Sequence, residues 1–317
     1  MRFGWDEDQQ AFQDAARDLL ARACPPAVVR AAGSAEVLDR APWDALAEMG
    51  VLAILQAEDV DGLGLDECSL VPVVLETGRA ALPHPIVETA LVAVPLGVGS
   101  ALVASDLGGP LVACAGDADV LLLHVGGGLR TFAPDEVDFD PVPAVDRARR
   151  LARVRPKPGA AGALLTDDPA VVGLAHDRGV LGTAAQLVGL AHAMLDMTVA
   201  YVTERHQFGV SVGSFQAVKH HLADARLAIE FAGPAVARAA WSTATEAPTR
   251  ARDVSMAKAL ATDAADVAGR AALQCHGAIG YTVEHDLHLF LKRAWALSRA
   301  WGVRAFHADR VAAALGI

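Results

Sequence analysis

The longest regular pattern in the chain is a series of apolar stripes with helical period that starts soon after Pro169. The first stripe comprises Leu181, Ala184, Ala185, Val188, Ala191 and Leu195, and the second comprises Phe215, Val218, Leu222, Ala225, Ile229, Ala232 and Val236. Steps of three and four residues place these side chains on one face of a helix, which has to be buried against other helices. The pattern predicts a carboxyl-terminal four-helix bundle over residues 169–317.

The limits of the four helices follow from the turn residues and the last apolar positions. The first helix is predicted to end near Val202. In the second, Pro234 is predicted to cause a kink or to leave one carbonyl free, because proline cannot donate a helical hydrogen bond. The third is predicted from Arg250 to Cys275. The fourth is predicted from Glu284 to Ala314 with an interruption near Gly302.

Residues 1–105 also show helical periodicity and are predicted to form an amino-terminal helical domain. The apolar faces of its first two helices comprise Phe12, Ala15, Ala16, Leu19 and Leu20, then Trp43, Leu46 and Ala47 ahead of Gly50. Another helix is predicted to end at Gly78 with Pro72 in or near its first turn, and a fourth to run from Ile86 to Val94. Gly62 and Gly64 are explained by a loop better than by a phosphate cradle, because no strand and helix flank them.

Residues 106–168 form a different region, in which short apolar and β-branched runs alternate with glycine and proline. The runs are residues 111–114, 120–125 and 163–166. A basic segment, residues 147–157, has six Arg or Lys in eleven positions, and a charged strand edge explains it better than an anion site. This region is predicted to be a reduced middle β domain, so the fold class is mainly α with a small β domain.

Charge and cysteine usage exclude several classes of function. Lys and Arg number 27 and Asp and Glu number 38, which gives a formal net charge of −11. This charge repels nucleic-acid phosphates and anionic membranes. The four cysteines form no closely spaced pair, and the amino terminus carries acids where an export signal would be basic and then apolar. We therefore expect a cytoplasmic protein without nucleic-acid or membrane partners.

The segments that join the carboxyl-terminal helices hold the candidate binding residues. Arg205 has a planar charged fork suited to a pyrophosphate, Phe208 offers an apolar face, and Gln274 precedes a glycine-rich turn that frees backbone amides for a ligand. Helix capping and turn formation also account for each residue taken singly. The histidine pairs offer no third or fourth ligand at a recognisable spacing, so no metal site is predicted; they are His220 with His221 and His285 with His288.

Three motifs in this order resemble those of the acyl-CoA dehydrogenases. They are RHQFG from Arg205, SFQAVKHHLAD from Ser214, and QCHGAIGY from Gln274 ahead of EHDLHLFLKRA. The resemblance implies FAD as cofactor and loops that hold the ADP portion of a neighbouring subunit's FAD. The matching positions are Arg205, Gln207, Phe208, Phe215, Gln216, Gln274 and Gly277. Ala278 departs from the family, in which a second glycine is usual.

Two other features of that family are missing. Neither the TExxxGSD segment nor the WITN-like strand of the family's β domain occurs between Ser100 and Asp168. The second missing feature is the base, a glutamate that removes the α proton while hydride leaves Cβ for the flavin. Its two family positions correspond to Gly179 and Trp301, neither of which can accept a proton. Asp177 lies two residues from the first position, which rotates it by about 200° on a helix.

In some family members, the α2β2 actinobacterial enzymes of steroid side-chain degradation, only one of the two subunit types carries the base. With both base positions lost, this chain resembles the other subunit type. This resemblance implies a homologous partner subunit that carries the catalytic Glu, an acyl-CoA substrate, and an electron-transfer flavoprotein or similar acceptor. One alternative is a self-sufficient homotetramer whose base is Asp177 or Glu284, although Glu284 fits an acid at a helix amino terminus better. The other alternative is a non-catalytic structural subunit.

Overall fold

The amino-terminal part of the chain is helical in the computed structural model, which describes residues 4–317. Its helices are α1 (Glu7–Ala23), α2 (Pro26–Ala32), α3 (Ala41–Glu48) and α4 (Glu67–Arg79), followed by a π-helix over Val87–Ala93. Asp6 caps α1 by accepting a hydrogen bond from the amide of Gln9, whose side chain returns one to the amide of Asp6. Local capping therefore fixes where the first helix begins.

Three details in this part differ from the sequence predictions. Helix α2 was not predicted, and it begins at Pro26, a residue suited to a first helical position. Pro72 lies in the second turn of α4 rather than the first, because Asp66 caps the helix six residues earlier. The segment predicted as a fourth helix is a π-helix over Val87–Ala93, a form that periodicity does not distinguish over two turns.

The middle region contains two small sheets. Strands β1 (Val103–Ser105), β2 (Val120–Val125), β3 (Gly128–Phe132) and β6 (Ala163–Thr166) form one sheet in the order β1-β2-β3-β6. Strands β4 (Val137–Pro141) and β5 (Ala152–Pro156) form the other. The predictions for residues 120–125 and 163–166 are confirmed. A strand over 111–114 is wrong, because only Val112 bridges, to Ala152.

The basic segment has two structural parts. Its carboxyl-terminal half is β5, whose Arg153 and Arg155 are exposed, in agreement with the predicted charged strand edge. Its amino-terminal half forms a 3-10 turn over Arg147–Arg149, after which Arg150 pairs with Asp117 at 2.6 Å. The charged run therefore contains exposed and partly buried arginines.

The carboxyl-terminal part is a bundle of long helices. They are α5 (Pro169–Glu204), α6 (Gln216–Ala244), α7 (Arg250–His276), α8 (Leu287–Leu297) and α9 (Arg304–Leu315). Helix α6 continues through Pro234. The predicted fourth helix starts at Leu287 rather than Glu284, and its predicted interruption is confirmed because residues 298–303 separate α8 from α9. Fold class is confirmed as mainly α with a small β region; the boundaries at 105 and 168 stay a prediction.

Two glycines let α4 and α5 cross in backbone contact. A Cβ on Gly78 would lie 2.2 Å from the carbonyl oxygen of Gln186, and one on Gly189 would lie 1.9 Å from that of Leu75. No side chain fits at such distances. Arg178 of α5 also pairs with Glu67 of α4 at 2.6 Å. The amino-terminal helices and the bundle thus share one tightly packed core.

By its length and composition alone, helix α5 could cross a membrane. Of its most apolar 18-residue window, 83% is buried inside the protein. Its apolar surface is therefore taken up by packing against α4, α6 and α7.

Candidate functional site

The first motif segment forms a tight hairpin at the end of α5. Strands β7 (His206–Gln207) and β8 (Val210–Ser211) pair antiparallel, which leaves Phe208 and Gly209 as a two-residue turn. Both turn residues have positive φ, 54° and 82°, as a type I′ turn requires. The turn holds the Phe208 side chain 93% exposed, with its ring 6.3 Å from that of Phe215. A two-residue turn thus presents an exposed aromatic pair.

The second motif segment lies where α7 ends. Gly277 has φ 62° and ψ −139°, a conformation that residues with a side chain avoid, and nothing occupies the space beside its Cα. Gln274 in the last turn of α7 is exposed, as is Ala278. The backbone here is open to a close approach by another molecule.

Stacked rings join the two motif segments. Tyr201, four residues before Arg205, stacks on His276, two residues after Gln274, with ring centroids 4.4 Å apart. His285 packs edge-on against the same His276 at 4.6 Å. Gln216, the first residue of α6, follows the hairpin directly. The ends of α5 and α7 and the start of α6 therefore meet at one end of the bundle.

The residues at this end suit a nucleotide diphosphate. The Arg205 guanidinium is exposed, and no described side chain from residues 4–317 pairs with it. A planar fork of this kind binds phosphate oxygens in pairs, the exposed ring of Phe208 can cover an apolar face, and the open space beside Gly277 permits a ligand to approach the backbone closely. The site is thus compatible with the ADP portion of FAD. That the seven motif residues hold this cofactor stays a prediction.

The two predicted base positions lie against each other. A Cβ on Gly179 of α5 would be 2.2 Å from the indole of Trp301, and one on Gly108 would be 2.8 Å from it. Trp301 is 2% exposed and has the left-handed φ of 57°. Its amide donates to the carbonyl of Gly108 at 2.8 Å, and its carbonyl accepts from His307 Nε2 at 3.0 Å. The indole therefore fills the space between two glycines.

Lys258 also binds the segment that carries Trp301. This lysine of α7 is fully buried, and its Nζ donates to the carbonyls of Ser298 and Gly302 at 3.3 and 3.4 Å. Burial lowers the pKa of Lys258 to about 7. A buried amine thus binds two carbonyls of the segment that joins α8 to α9.

Asp177 is bound by arginines rather than free to act as a base. Its carboxylate accepts from Arg250 Nε at 3.0 Å and from Arg310 Nη2 at 2.7 Å. Burial alone raises the pKa of Asp177, but the nearby His176 and the hydrogen bonds from Arg310 and Arg250 outweigh it and lower the pKa to about 2. Such a carboxylate is a weak proton acceptor at neutral pH. The geometry disfavours the homotetramer alternative with this base.

Glu284 does not occupy the position predicted for it. It is exposed and lies in the bend before α8, whose cap is Asp286. The prediction of a helix amino-terminal acid is wrong, because the helix starts three residues later. Within the described chain, no group of three or more His, Cys, Asp or Glu side chains is arranged to hold a metal ion.

A cavity that sequence reasoning missed lies beside Trp301. It has a volume of 520 Å³ and lies between α8, the loop after β1 and the segment before β5. Glu88 of the π-helix and Arg149 both line it. In the sequence, a single acid within the apolar run around residue 88 was the available signal, and Arg149 was hidden in a basic segment explained by charge alone.

The sequence matches two family models. The model for the acyl-CoA dehydrogenase N-terminal domain covers residues 6–107. The model for the acyl-CoA dehydrogenase C-terminal domain covers residues 170–316.

Curated relatives match over nearly the full length. The chain is 33% identical over 304 residues to acyl-CoA dehydrogenase IpdE2 of Mycobacterium tuberculosis, covering 91% of each chain. It is 33% identical over 310 residues to acyl-CoA dehydrogenase IpdE2 of Mycolicibacterium smegmatis, covering 93% of this chain and 95% of the relative.

Solved structures share the fold. A chain of the ChsE4-ChsE5 complex from Mycobacterium tuberculosis aligns with a TM-score of 0.89 at 22% identity, covering 100% of this chain and 99% of that one. Butyryl-CoA dehydrogenase from Megasphaera elsdenii aligns with a TM-score of 0.84 at 21% identity, covering 100% of both chains. From the two family models and the full-length relatives, we conclude that this chain belongs to the FAD-dependent acyl-CoA dehydrogenase family.

Proposed function

We propose that this chain is the base-lacking subunit of a heteromeric FAD-dependent acyl-CoA dehydrogenase, which oxidises the Cα–Cβ bond of an acyl-CoA thioester. In this assembly a homologous partner subunit supplies the catalytic Glu. This chain supplies the loops at the end of its bundle, which contact the ADP portion of the partner's FAD. An electron-transfer flavoprotein or a similar protein would reoxidise the complex.

The observation that carries this proposal is the position of the Trp301 indole. It fills the space in front of Gly179, so neither family position offers a carboxylate. The other nearby acid on α5, Asp177, is bound by two arginines. With no carboxylate at either position, this chain would leave removal of the α proton to a second subunit.

The role of the motif residues follows from their chemistry. FAD, when bound, accepts the hydride that leaves Cβ. Toward that cofactor, Arg205 would donate its paired N–H groups to the pyrophosphate, Phe208 would exclude water from one face, and the amides beside Gly277 would donate hydrogen bonds. These contacts orient the cofactor but transfer no proton.

Exposed apolar side chains on α6 support an interface with another subunit. Three large apolar side chains of α6 are exposed, namely Leu227 (57%), Phe231 (65%) and Trp241 (43%). A group of exposed apolar side chains often marks an interface with another protein. They lie on the helix that begins at the proposed cofactor contact. A partner subunit that covers α6 would therefore also approach the Arg205 hairpin.

The primary test is the composition of the assembly. The chain is co-expressed with an acyl-CoA dehydrogenase subunit that retains the glutamate, and native mass and flavin content are measured. One FAD per two chains, together with an inactive isolated chain, is the expected result. Stoichiometric flavin and activity in the isolated chain would instead establish the homotetramer.

Replacing Arg205 by alanine is expected to weaken FAD binding in the complex roughly 10- to 100-fold, because a charge-assisted hydrogen bond contributes about 1.5 to 3 kcal/mol. Bound flavin is measured by absorbance after gel filtration, and assembly by native mass. Arg270→Ala is the matched control, since Arg270 is exposed on α7 and, among residues 4–317, pairs only with Asp266 one turn away. An intact complex with unchanged flavin after Arg205→Ala would point to a purely structural subunit.

A further inference from the structure

Three rings form a cluster at the end of the bundle that carries the motif segments. Tyr201 stacks on His276 with an interplanar angle of 18° and ring centroids 4.4 Å apart. His285 lies edge-on to both rings, at 4.6 Å from His276 and 6.0 Å from Tyr201. The rings belong to the last turn of α5, the last residue of α7 and the bend before α8. We call these three side chains the ring cluster, and it joins segments that are distant in the sequence.

His276 is held in the centre of the ring cluster more by its faces than by its nitrogens. The residue is 4% exposed, and its Nδ1–H donates to the carbonyl of Ala272 at 2.8 Å. Its Nε2 is buried, and no donor from residues 4–317 reaches it. Burial lowers the pKa of His276, so the ring is neutral at pH 7. Because an unsatisfied nitrogen is unfavourable in such a place, stacking on Tyr201 is the contact that keeps the ring there.

Both motif segments are attached directly to the ring cluster. The amide of Arg205 donates to the carbonyl of Tyr201 at 2.9 Å, so the hairpin starts from the residue that carries one ring. Gly277 follows His276 in the chain. The turn after it folds back over His276, because a Cβ on Gly280 would lie 3.0 Å from the Cβ of His276. The contact between two rings therefore sets the separation of the Arg205 hairpin and the Gly277 turn.

The third ring connects this arrangement to the amino-terminal part of the chain. Nδ1 of His285 accepts a hydrogen bond from the amide of Leu287 at 3.2 Å. In the same bend, Arg30 of α2 donates to the carbonyl of Val283 at 2.7 Å and pairs with Asp286 at 2.6 Å. The ring cluster is thus held between three helices of the bundle and α2.

Ordering a glycine-rich loop when a ligand binds costs affinity, because glycine loses more conformational freedom than other residues. Gly209 and Gly277 both lie in the segments proposed to contact the cofactor. Rings that order these segments in advance remove that cost. We propose that Tyr201 and His276 are positioning residues, which hold the Arg205 fork and the Gly277 turn where one nucleotide diphosphate can contact both. This role rests on the proposed function, and neither side chain needs to touch the cofactor.

The test measures the FAD affinity of the co-expressed complex, by titrating the flavin-free complex with FAD and following flavin fluorescence. His276→Ala removes the stack and is expected to weaken FAD binding roughly tenfold, because the cofactor then has to order the loops. His276→Asn keeps a donor near the Nδ1 position but has no ring, so the loss should be the same. His276→Phe keeps the ring and removes the unsatisfied nitrogen, so its FAD affinity should stay within about twofold of the natural value. Tyr201→Leu removes the stack from the side of α5, should weaken FAD binding similarly, and covers the case in which His276→Ala fails to assemble.

His84→Ala is the matched control for the loss of a buried histidine. His84 is 4% exposed, stacks on Trp43 at 5.9 Å and has an Nδ1 without a partner among the described residues, but it lies in the amino-terminal part. This variant should lower the melting temperature of the complex and leave its FAD affinity unchanged. Arg205→Ala supplies a second readout, because its effect should be smaller in the His276→Ala background, where the fork is no longer positioned.

Natural FAD affinity in both His276→Ala and Tyr201→Leu, or equal losses in His276→Ala and His276→Phe, would overturn the positioning role. So would an equal loss in His84→Ala, or additive effects of His276→Ala and Arg205→Ala. The single variant Arg205→Ala tests the proposed function separately. If it weakens FAD binding and the ring variants do not, only the positioning role is wrong. If it has no effect, the proposed cofactor contact itself is wrong.

Discussion

Replacing Trp301 by alanine is expected to lower the free energy of unfolding by about 3 to 5 kcal/mol, as is usual for truncation of a buried tryptophan. The indole is 2% exposed and lies between Gly108 and Gly179, so its removal leaves a cavity that the glycines cannot fill. Urea denaturation followed by circular dichroism measures the change.

A glycine variant at the same position provides the control for backbone conformation. Because residue 301 has a φ of 57°, Trp301→Gly should be more stable than Trp301→Ala, in spite of the larger cavity. In an ordinary helical or extended position, glycine is the less stable of the two by roughly 0.5–1 kcal/mol. The usual order at this position would contradict the left-handed backbone.

The contact between the two base positions predicts a strong energetic coupling. Gly179→Ala alone should be strongly destabilising, because its Cβ would lie 2.2 Å from the indole. In the Trp301→Gly background the same change should be neutral or stabilising by up to about 1 kcal/mol, since alanine is the better helix former. A double-mutant cycle that gives additive effects would show that Trp301 does not occupy the space in front of Gly179.

Replacing Lys258 by methionine is expected to remove a large pH dependence of stability. The folded chain lowers the pKa of Lys258 from 10.5 to about 7, so the unfolded chain binds one more proton between these two values. The unfolding free energy of the natural protein should therefore rise with pH across this window, relative to the variant. The full change is about 4 to 5 kcal/mol, from about 1.4 kcal/mol per pKa unit.

Urea denaturation of both proteins at several pH values from 7 to about 10 measures this difference, because titrations of other groups largely cancel. Below pH 7 the amine is charged in both states, and the difference should become constant. Lys219→Met is the matched control, since Lys219 is exposed on α6. Parallel pH profiles for the natural protein and Lys258→Met would mean that the buried amine is charged or solvated in the folded state.

The sequence predicts most of the bundle because its apolar stripes are long. The stripe from Phe215 to Val236 lies within α6, and the stripe from Leu181 to Leu195 within α5. The motif residues also lie where local rules place them, since Phe208 and Gly209 adopt the positive φ that a two-residue hairpin needs. Periodicity and turn chemistry are local, so a single sequence contains them.

The cavity and the blocked base position depend on contacts between distant residues. Gly179 and Trp301 are far apart in the sequence but lie in contact. Glu88 of the amino-terminal part and Arg149 of the middle region line the same cavity. No local pattern records which side chains a fold brings together. The predictions for two short segments were also wrong. Two turns of π-helix and one isolated bridge at Val112 have too little periodicity for the type of secondary structure to be identified.

The glycine crossing of α4 and α5 limits how the molecule can move. Two helices whose backbones touch at Gly78 and Gly189 cannot slide or rotate past each other without steric clash. The β region is joined to the same frame, because Arg293 of α8 pairs with Asp146 ahead of β5. A shift of the amino-terminal helices against the bundle would therefore have to separate the two backbones at both glycines.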